Sequence, residues 1–225
     1  MGSKGLWRIV IAVAGLIITA TSVSAGPIGE VGISAGAVFP QGNFSDYADV
    51  GPRILIRTNF HIPQAQMISG YLDLSGSFFS SESEDVLVWI EGVGTFDAEK
   101  KVSQYNIALH AGLQLGSDTR RGAIRPRVAF APGLYLFNTQ TTVTMWDAED
   151  PLYEDSEAQV KFGWRGIAGC DFFLTTRWGI TAEFLYDQVI NLHHETEYDE
   201  LGRPNPVTKS ARFHGFMVGV VFTIK

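Results

Sequence analysis

The stretch Gln104-Tyr-Asn-Ile-Ala-Leu-His-Ala-Gly-Leu-Gln-Leu-Gly116 decides the fold. Tyr105, Ile107, Leu109, Ala111, Leu113 and Leu115 share one parity, and Gln104, Asn106, Ala108, His110, Gly112, Gln114 and Gly116 share the other. Successive side chains of a strand point to opposite faces, so this segment has one wholly apolar face and one polar or small face. A helix, with its 3.6-residue period, would scatter the same residues around its circumference. The segment is predicted to be a β-strand.

The same alternation recurs along the chain. Val31, Ile33, Ala35, Ala37 and Phe39 oppose Glu30, Gly32, Ser34 and Gly36; Ile54, Ile56 and Phe60 oppose Arg53, Arg57 and Asn59. Leu72, Leu74 and Phe78 oppose Tyr71, Asp73, Ser75 and Ser77; Val128, Phe130, Leu134 and Leu136 oppose Arg127, Ala129, Ala131, Gly133 and Tyr135. Phe162, Trp164, Ala168, Cys170 and Phe172 oppose Lys161, Gly163, Arg165, Gly169 and Asp171. Trp178, Ile180, Ala182, Phe184 and Tyr186 oppose Gly179, Thr181, Glu183 and Asp187, and Phe216, Val218, Val220, Phe222 and Ile224 oppose Gly215, Met217, Gly219 and Thr223. With residues 104–116 this makes eight strands. Pro132 lacks the N–H of a ladder bond, so a local bulge is predicted there.

Connection lengths order these strands. Residues 62–65, 117–122 and 174–177 are short links, whereas 40–50, 80–101, 142–157 and 191–210 are long ones. Short turns at one end and long loops at the other are the pattern of an outer-membrane barrel. Beginning and ending on a long link places both termini at the short-turn, periplasmic end. The large apolar groups take one face while Arg, Asp, Glu, Asn and Gly take the other, which favours a transmembrane barrel over a soluble one filled with apolar side chains. The predicted fold is an all-β, eight-stranded antiparallel up-and-down transmembrane β-barrel.

The N-terminus agrees. Lys4 and Arg8 precede the apolar run Ile9 to Ile18, and Ser22-Val23-Ser24-Ala25 supplies small residues for cleavage, so residues 1–25 are expected to be a cleaved secretory signal and 26–225 the barrel domain. Removing Lys4 and Arg8 from the 17 basic residues leaves 15 against 24 acidic ones, a net charge of −9. That balance, without a basic cluster, excludes nucleic acid as an expected partner. Cys170 is the sole cysteine, so no intramolecular disulfide forms, and a structural thiol is expected.

With the pattern assembled, the chain resembles the small outer-membrane β-barrel family that includes the OmpA transmembrane domain and OmpX. The resemblance rests on Val31-Gly-Ile-Ser-Ala-Gly-Ala-Val-Phe39, on Phe162-Gly-Trp-Arg-Gly-Ile-Ala-Gly169 leading to Leu174-Thr-Thr-Arg-Trp-Gly-Ile-Thr-Ala-Glu183, and on the closing strand 215–222. It implies insertion by the β-barrel assembly machinery with periplasmic chaperones, and a monomer surrounded by outer-membrane lipid and lipopolysaccharide. Many members end on an aromatic residue, whereas this chain continues past Phe222 to Lys225, and no wall-binding domain follows the barrel.

Glu30, Arg53, Arg57, Asp73, Arg127, Lys161, Arg165, Asp171, Glu183 and Asp187 fall on the inward parity. The interior of an eight-stranded barrel is just wide enough for side chains to fill, so a salt-bridged plug is expected; a narrow channel for ions or small solutes is the alternative. Phe39, Tyr105, Trp164, Phe172, Trp178, Tyr186 and Phe222 lie at strand ends, where interfacial girdles form. His193-His194-Glu195 has neither H-E-x-x-H spacing nor a shared face, so it is read as a polar loop. His194 or His214 would be the candidates in a lipid-modifying barrel enzyme, the less favoured reading, and no catalytic, metal or cofactor site is assigned. The acidic sets Glu82, Glu84, Asp85 and Asp147, Glu149, Asp150, Glu154, Asp155, Glu157 are read as solvated loops. Val86-Leu-Val-Trp-Ile90 and Thr142-Val-Thr-Met-Trp146 continue the alternation above the membrane height, predicting hairpins with exposed edges to which a surface partner could add a strand. The expected role is therefore envelope structure, or surface interaction and adhesion through the long loops.

Overall fold

The structure, a computed structural model, describes residues 29–45, 48–62, 67–79, 83–90, 94–116, 123–146, 150–198 and 204–224. The expected leader 1–25, residues 63–66 and 117–122 of the short links, Glu82, Asp147 and Glu149, and the side chains of His193, His194 and Glu195 lie outside the described residues.

Each alternating segment is a strand: β1 (Gly29–Gln41), β2 (Gly51–His61), β3 (Ile68–Phe79), β4 (Ser83–Ile90), β5 (Gly94–Gly116), β6 (Ile124–Met145), β7 (Tyr153–Phe173), β8 (Trp178–Tyr198) and β9 (Pro204–Ile224). All pairings are antiparallel, in the order β3-β2-β1-β9-β8-β7-β6-β5-β4, and a β3–β5 ladder closes the sheet into a barrel. Eight strands form the wall. β4 stands outside it, paired with the distal part of β5 from Ser83↔Lys101 to Ile90↔Gly94. Gly29 pairs with Ile224, so the two ends of the barrel domain meet at the rim that carries the short connections.

Burial follows the alternation. Ile33, Ile54, Leu113, Leu115, Val128, Phe130, Phe162, Phe216 and Val218 are exposed on the exterior, while Glu30, Arg53, Arg57, Asp73, His110, Arg165, Asp171 and Asp187 are buried inside. A barrel stable in water would show the reverse; an apolar exterior around a polar interior is the arrangement of a membrane barrel.

Three local expectations are corrected. Pro132 makes no bulge: the β5–β6 ladder skips Ala131 and Pro132, yet His110↔Gly133 and Leu113↔Phe130 lie in one register. The missing N–H interrupts hydrogen bonding there without inserting a residue. The register shifts fall instead in β8–β9, between Val189 and Leu192 and between His193 and Glu195, beside Asn191 at φ 56. Asparagine tolerates that left-handed conformation better than most residues.

Second, Thr142 to Met145 are strand as the alternation predicted, but 153–157 and the described parts of 191–210 are strand as well rather than loop. Val143 pairs with Tyr153, and Tyr198 with Pro204. In β6 the β-branched run Thr141 to Thr144 favours the extended backbone, and it pairs with the polar segment that starts β7. Third, His193-His194-Glu195 is strand by backbone, and Glu84, Asp85, Glu154, Asp155 and Glu157 are exposed on β4 and β7 rather than on loops.

Candidate functional site

Inward parity brings polar side chains from seven strands, and apolar ones from β9, into the lumen, where strand register sorts them into layers. Nearest the short-turn rim, Arg125 donates from Nη1 to Glu30 Oε1 at 2.7 Å, and its guanidinium lies 3.9 Å from the centre of the Phe173 ring. The next layer crosses from β2 and β6 to β7 and β8. Arg57 donates to Glu183 Oε1 at 2.6 Å and to Asp171 Oδ1 at 2.7 Å. Arg127 donates to Asp171 Oδ2 at 3.2 Å, to Thr181 Oγ1 at 3.1 Å and to Glu183 Oε1.

Leu55, Tyr71, Ala129, Ala131, Ile167, Leu185 and Met217 separate this layer from a third. There Arg165 bridges two carboxylates, donating to Asp187 Oδ1 at 2.7 Å and Asp73 Oδ1 at 2.8 Å, with Ser75 Oγ accepting at 2.9 Å. Arg53 donates to Asp187 Oδ2 at 2.6 Å and Ser77 Oγ at 2.7 Å. Tyr135 donates its hydroxyl to Asp187 Oδ1 at 2.6 Å, and His110 Nδ1 lies 2.9 Å from Asp73 Oδ1.

Each layer is neutral by itself, counting His110 as uncharged: Arg125 against Glu30, Arg57 and Arg127 against Asp171 and Glu183, Arg53 and Arg165 against Asp73 and Asp187. An unpaired buried ion costs several kcal/mol, so local balance is what lets a narrow lumen hold so many charges.

Above the third layer the lumen is aromatic. Phe79, Phe137 and Phe213 extend the inward parity of β3, β6 and β9, and Phe44 drops in from the short helical turn Gly42–Phe44 that follows β1. The Phe44 ring centre is 5.2 Å from Phe79, 5.9 Å from Phe213 and 6.2 Å from Phe137. Arg53 sits 5.1 Å from the Phe213 ring centre, joining the lid to the charges below it.

Every inward charge singled out in the sequence is ion-paired except Lys161, which shares the parity but is half-exposed beyond the third layer and has no ion pair among the described residues. Arg125, just outside the alternating segment that was recognised, takes part instead. His110 was visible as a polar-face residue; its place against Asp73 was not. Phe44 carried no periodic signal.

Of the aromatic set, Trp178 pairs in register with Phe222, and Phe172 with Ile180, near the short-turn rim. Phe39, Tyr105 and Tyr186 lie toward the opposite rim, and Trp164 packs 5.4 Å from Tyr186. All are on the exterior parity. His214 is also exterior, stacked on Phe39 at 5.2 Å. Among the described residues no group of three or more His, Cys, Asp or Glu side chains could hold a metal ion.

Beyond the wall, β4 and the distal parts of β5, β6 and β7 form a four-stranded projecting sheet. Among the described residues β4 pairs on one side only. Leu87 (72% exposed), Trp89 (67%) and Trp146 (68%) stand on its outer face, among Asp85, Asp97 and Glu99.

No family model and no curated protein sequence matches the chain. Solved structures do. Neisserial surface protein A superimposes with a TM-score of 0.51 at 13% identity, over 89% of this chain and 99% of that one. A major outer membrane protein from Thermus thermophilus gives 0.51 at 13% identity, over 86% of this chain and 98% of that one. The fold is that of a small, eight-stranded outer-membrane β-barrel. At such identity the likeness concerns the barrel alone, and what distinguishes this barrel is its layered lumen and its projecting sheet.

Proposed function

We propose that the protein spans the bacterial outer membrane as a sealed, non-enzymatic barrel and presents the β4–β7 sheet as a surface for interaction or adhesion. The observation that carries this reading is the lumen: three self-neutral layers of ion pairs and an aromatic lid occupy it. A permeating ion would have to break pairs that nothing in the lumen replaces. The working surface is then the sheet outside the wall, where large apolar side chains and an unpaired β4 edge meet the solvent. Such an edge is a template for strand addition. The leader 1–25 would direct export and be cleaved, and the barrel would be assembled as a monomer with both ends in the periplasm.

Two measurements test this. In planar bilayers the folded protein is expected to stay silent; steady single-channel openings would favour transport and overturn the sealed barrel. Leu87→Lys together with Trp89→Lys places charge on exposed positions of the edge strand, a change that blocks strand addition and spares the barrel wall. Proteoliposomes carrying this variant are expected to adhere to a mixed extracellular-matrix coating about tenfold less than wild type, equivalent to about 1.4 kcal/mol. Unchanged adherence would remove the β4 edge from the reading.

A further inference from the structure

Arginines inside the barrel all meet carboxylates; Arg212 does not. It lies on the exterior parity of β9, is exposed, and has no ion pair among the described residues. Its in-register neighbours are Gln41 on β1 and Gln188 on β8. Two residues further down β9, His214 is stacked flat on Phe39 at 12° between ring planes, with Phe184 at 5.9 Å and Phe216 at 6.1 Å. Below these the exterior is apolar: Phe216, Val218, Val220 and Phe222. Three strands thus present one sequence of chemistry from the short-turn rim upward: aliphatic and phenyl, then an aromatic–imidazole cluster, then a cation between two amides.

That order matches the cross-section of a lipid leaflet. A tilted strand of about 9–11 residues crosses the hydrocarbon, which, counted upward from Ile224, ends between Phe216 and His214, so that Arg212 is the next exterior residue above it. Arg212 therefore stands at headgroup height, where its planar fork of donors suits a phosphate in two-point contact. The flanking glutamines supply amide groups at the same row for sugar hydroxyls.

We propose that Gln41, Arg212 and Gln188, above the His214 cluster, form a binding site for the phosphorylated sugar headgroup of an outer-leaflet lipopolysaccharide. This rests on the membrane-spanning reading above. The chain as a whole is acidic, so its general field repels an anionic lipid, and attraction must come from a local cation at a fixed height.

The test uses the full mature protein, folded in detergent and titrated with diphosphoryl lipid A while native mass spectrometry counts retained lipid. Wild type is expected to retain lipid A, Arg212→Gln to lose about tenfold in affinity, and Arg212→Lys to recover part of it. Lys101→Gln, an exposed cation on β5 away from this patch, is expected to bind as wild type does. Equal retention by wild type and Arg212→Gln overturns the site. Displacement of the lipid by millimolar inorganic phosphate overturns the lipid as its ligand in favour of free phosphate. Absence of a heat-modifiable folded band in every variant would instead refute the membrane barrel on which the site depends.

Discussion

Replacing Arg165 with Met is expected to destabilise the barrel by about 3–5 kcal/mol, the cost of stranding one member of a buried ion pair. Arg165 holds Asp73 and Asp187 simultaneously, and all three side chains are fully buried. Without it the third layer carries one uncompensated negative charge, because Arg53 can neutralise Asp187 but reaches no second carboxylate in that layer. Arg165→Met combined with Asp73→Asn restores neutrality, leaving Arg53 paired with Asp187. That double variant should recover most of the loss. Equilibrium urea unfolding in lipid vesicles, read by tryptophan fluorescence, separates the outcomes. A single variant within about 1 kcal/mol of wild type would mean that the lumen is hydrated well enough to screen its charges.

Placing a side chain at Gly36 is expected to have an effect of similar size through a different cause. A Cβ at this position would lie 1.9 Å from the carbonyl oxygen of Phe216 and 2.9 Å from Cα of Met217, both on β9. The obstacle is backbone, so no rotamer relieves it, and β1 must move away from β9. This is the seam where the first strand meets the last, formed from segments distant in sequence, and such pairings form late at a large entropic cost. Gly36→Val should therefore cost at least the roughly 1–3 kcal/mol of an overpacked core and lower the heat-modifiable folded fraction in detergent. Gly76→Val is the matched control. It lies on the exposed face of β3, and a Cβ there meets nothing within 4 Å. Equal folded fractions for the two variants would show that the seam is wider than the register implies.

How much was legible beforehand depended on the range of the interaction. Strand identity is local: residues 104–116 declare their two faces by alternation alone, and the structure places Gln104, Asn106, Ala108, His110 and Gln114 inside and Leu113 and Leu115 outside. Strand ends were harder to read. Thr142 to Met145 was recognised as strand-like, but 191–198 was not, because Asn191 and the histidine pair break the alternation. Pro132 misled for the converse reason. A residue that cannot donate a hydrogen bond signals a defect in the ladder, but it does not say whether the register shifts, and here the neighbouring pairs on both sides hold it.

The sequence by itself determined that alternate side chains face opposite ways, and with that the barrel class, the eight-stranded wall, the apolar exterior and the inward placement of the charges. Period-two geometry, the chemistry of the two faces and the alternation of short and long connections suffice for all of these. Only the tertiary structure decided which charges meet. Arg53 and Asp187 are 134 positions apart, and Arg57 and Glu183 are 126. Parity tells on which side of the wall a residue lies but not at what height, and height follows from the register of every strand around the closed barrel. That is why Arg125 and not Lys161 completes the ion pairs, why Phe44 from outside the alternating segments closes the lumen, and why Arg212 is left on the exterior with no carboxylate partner among the described residues.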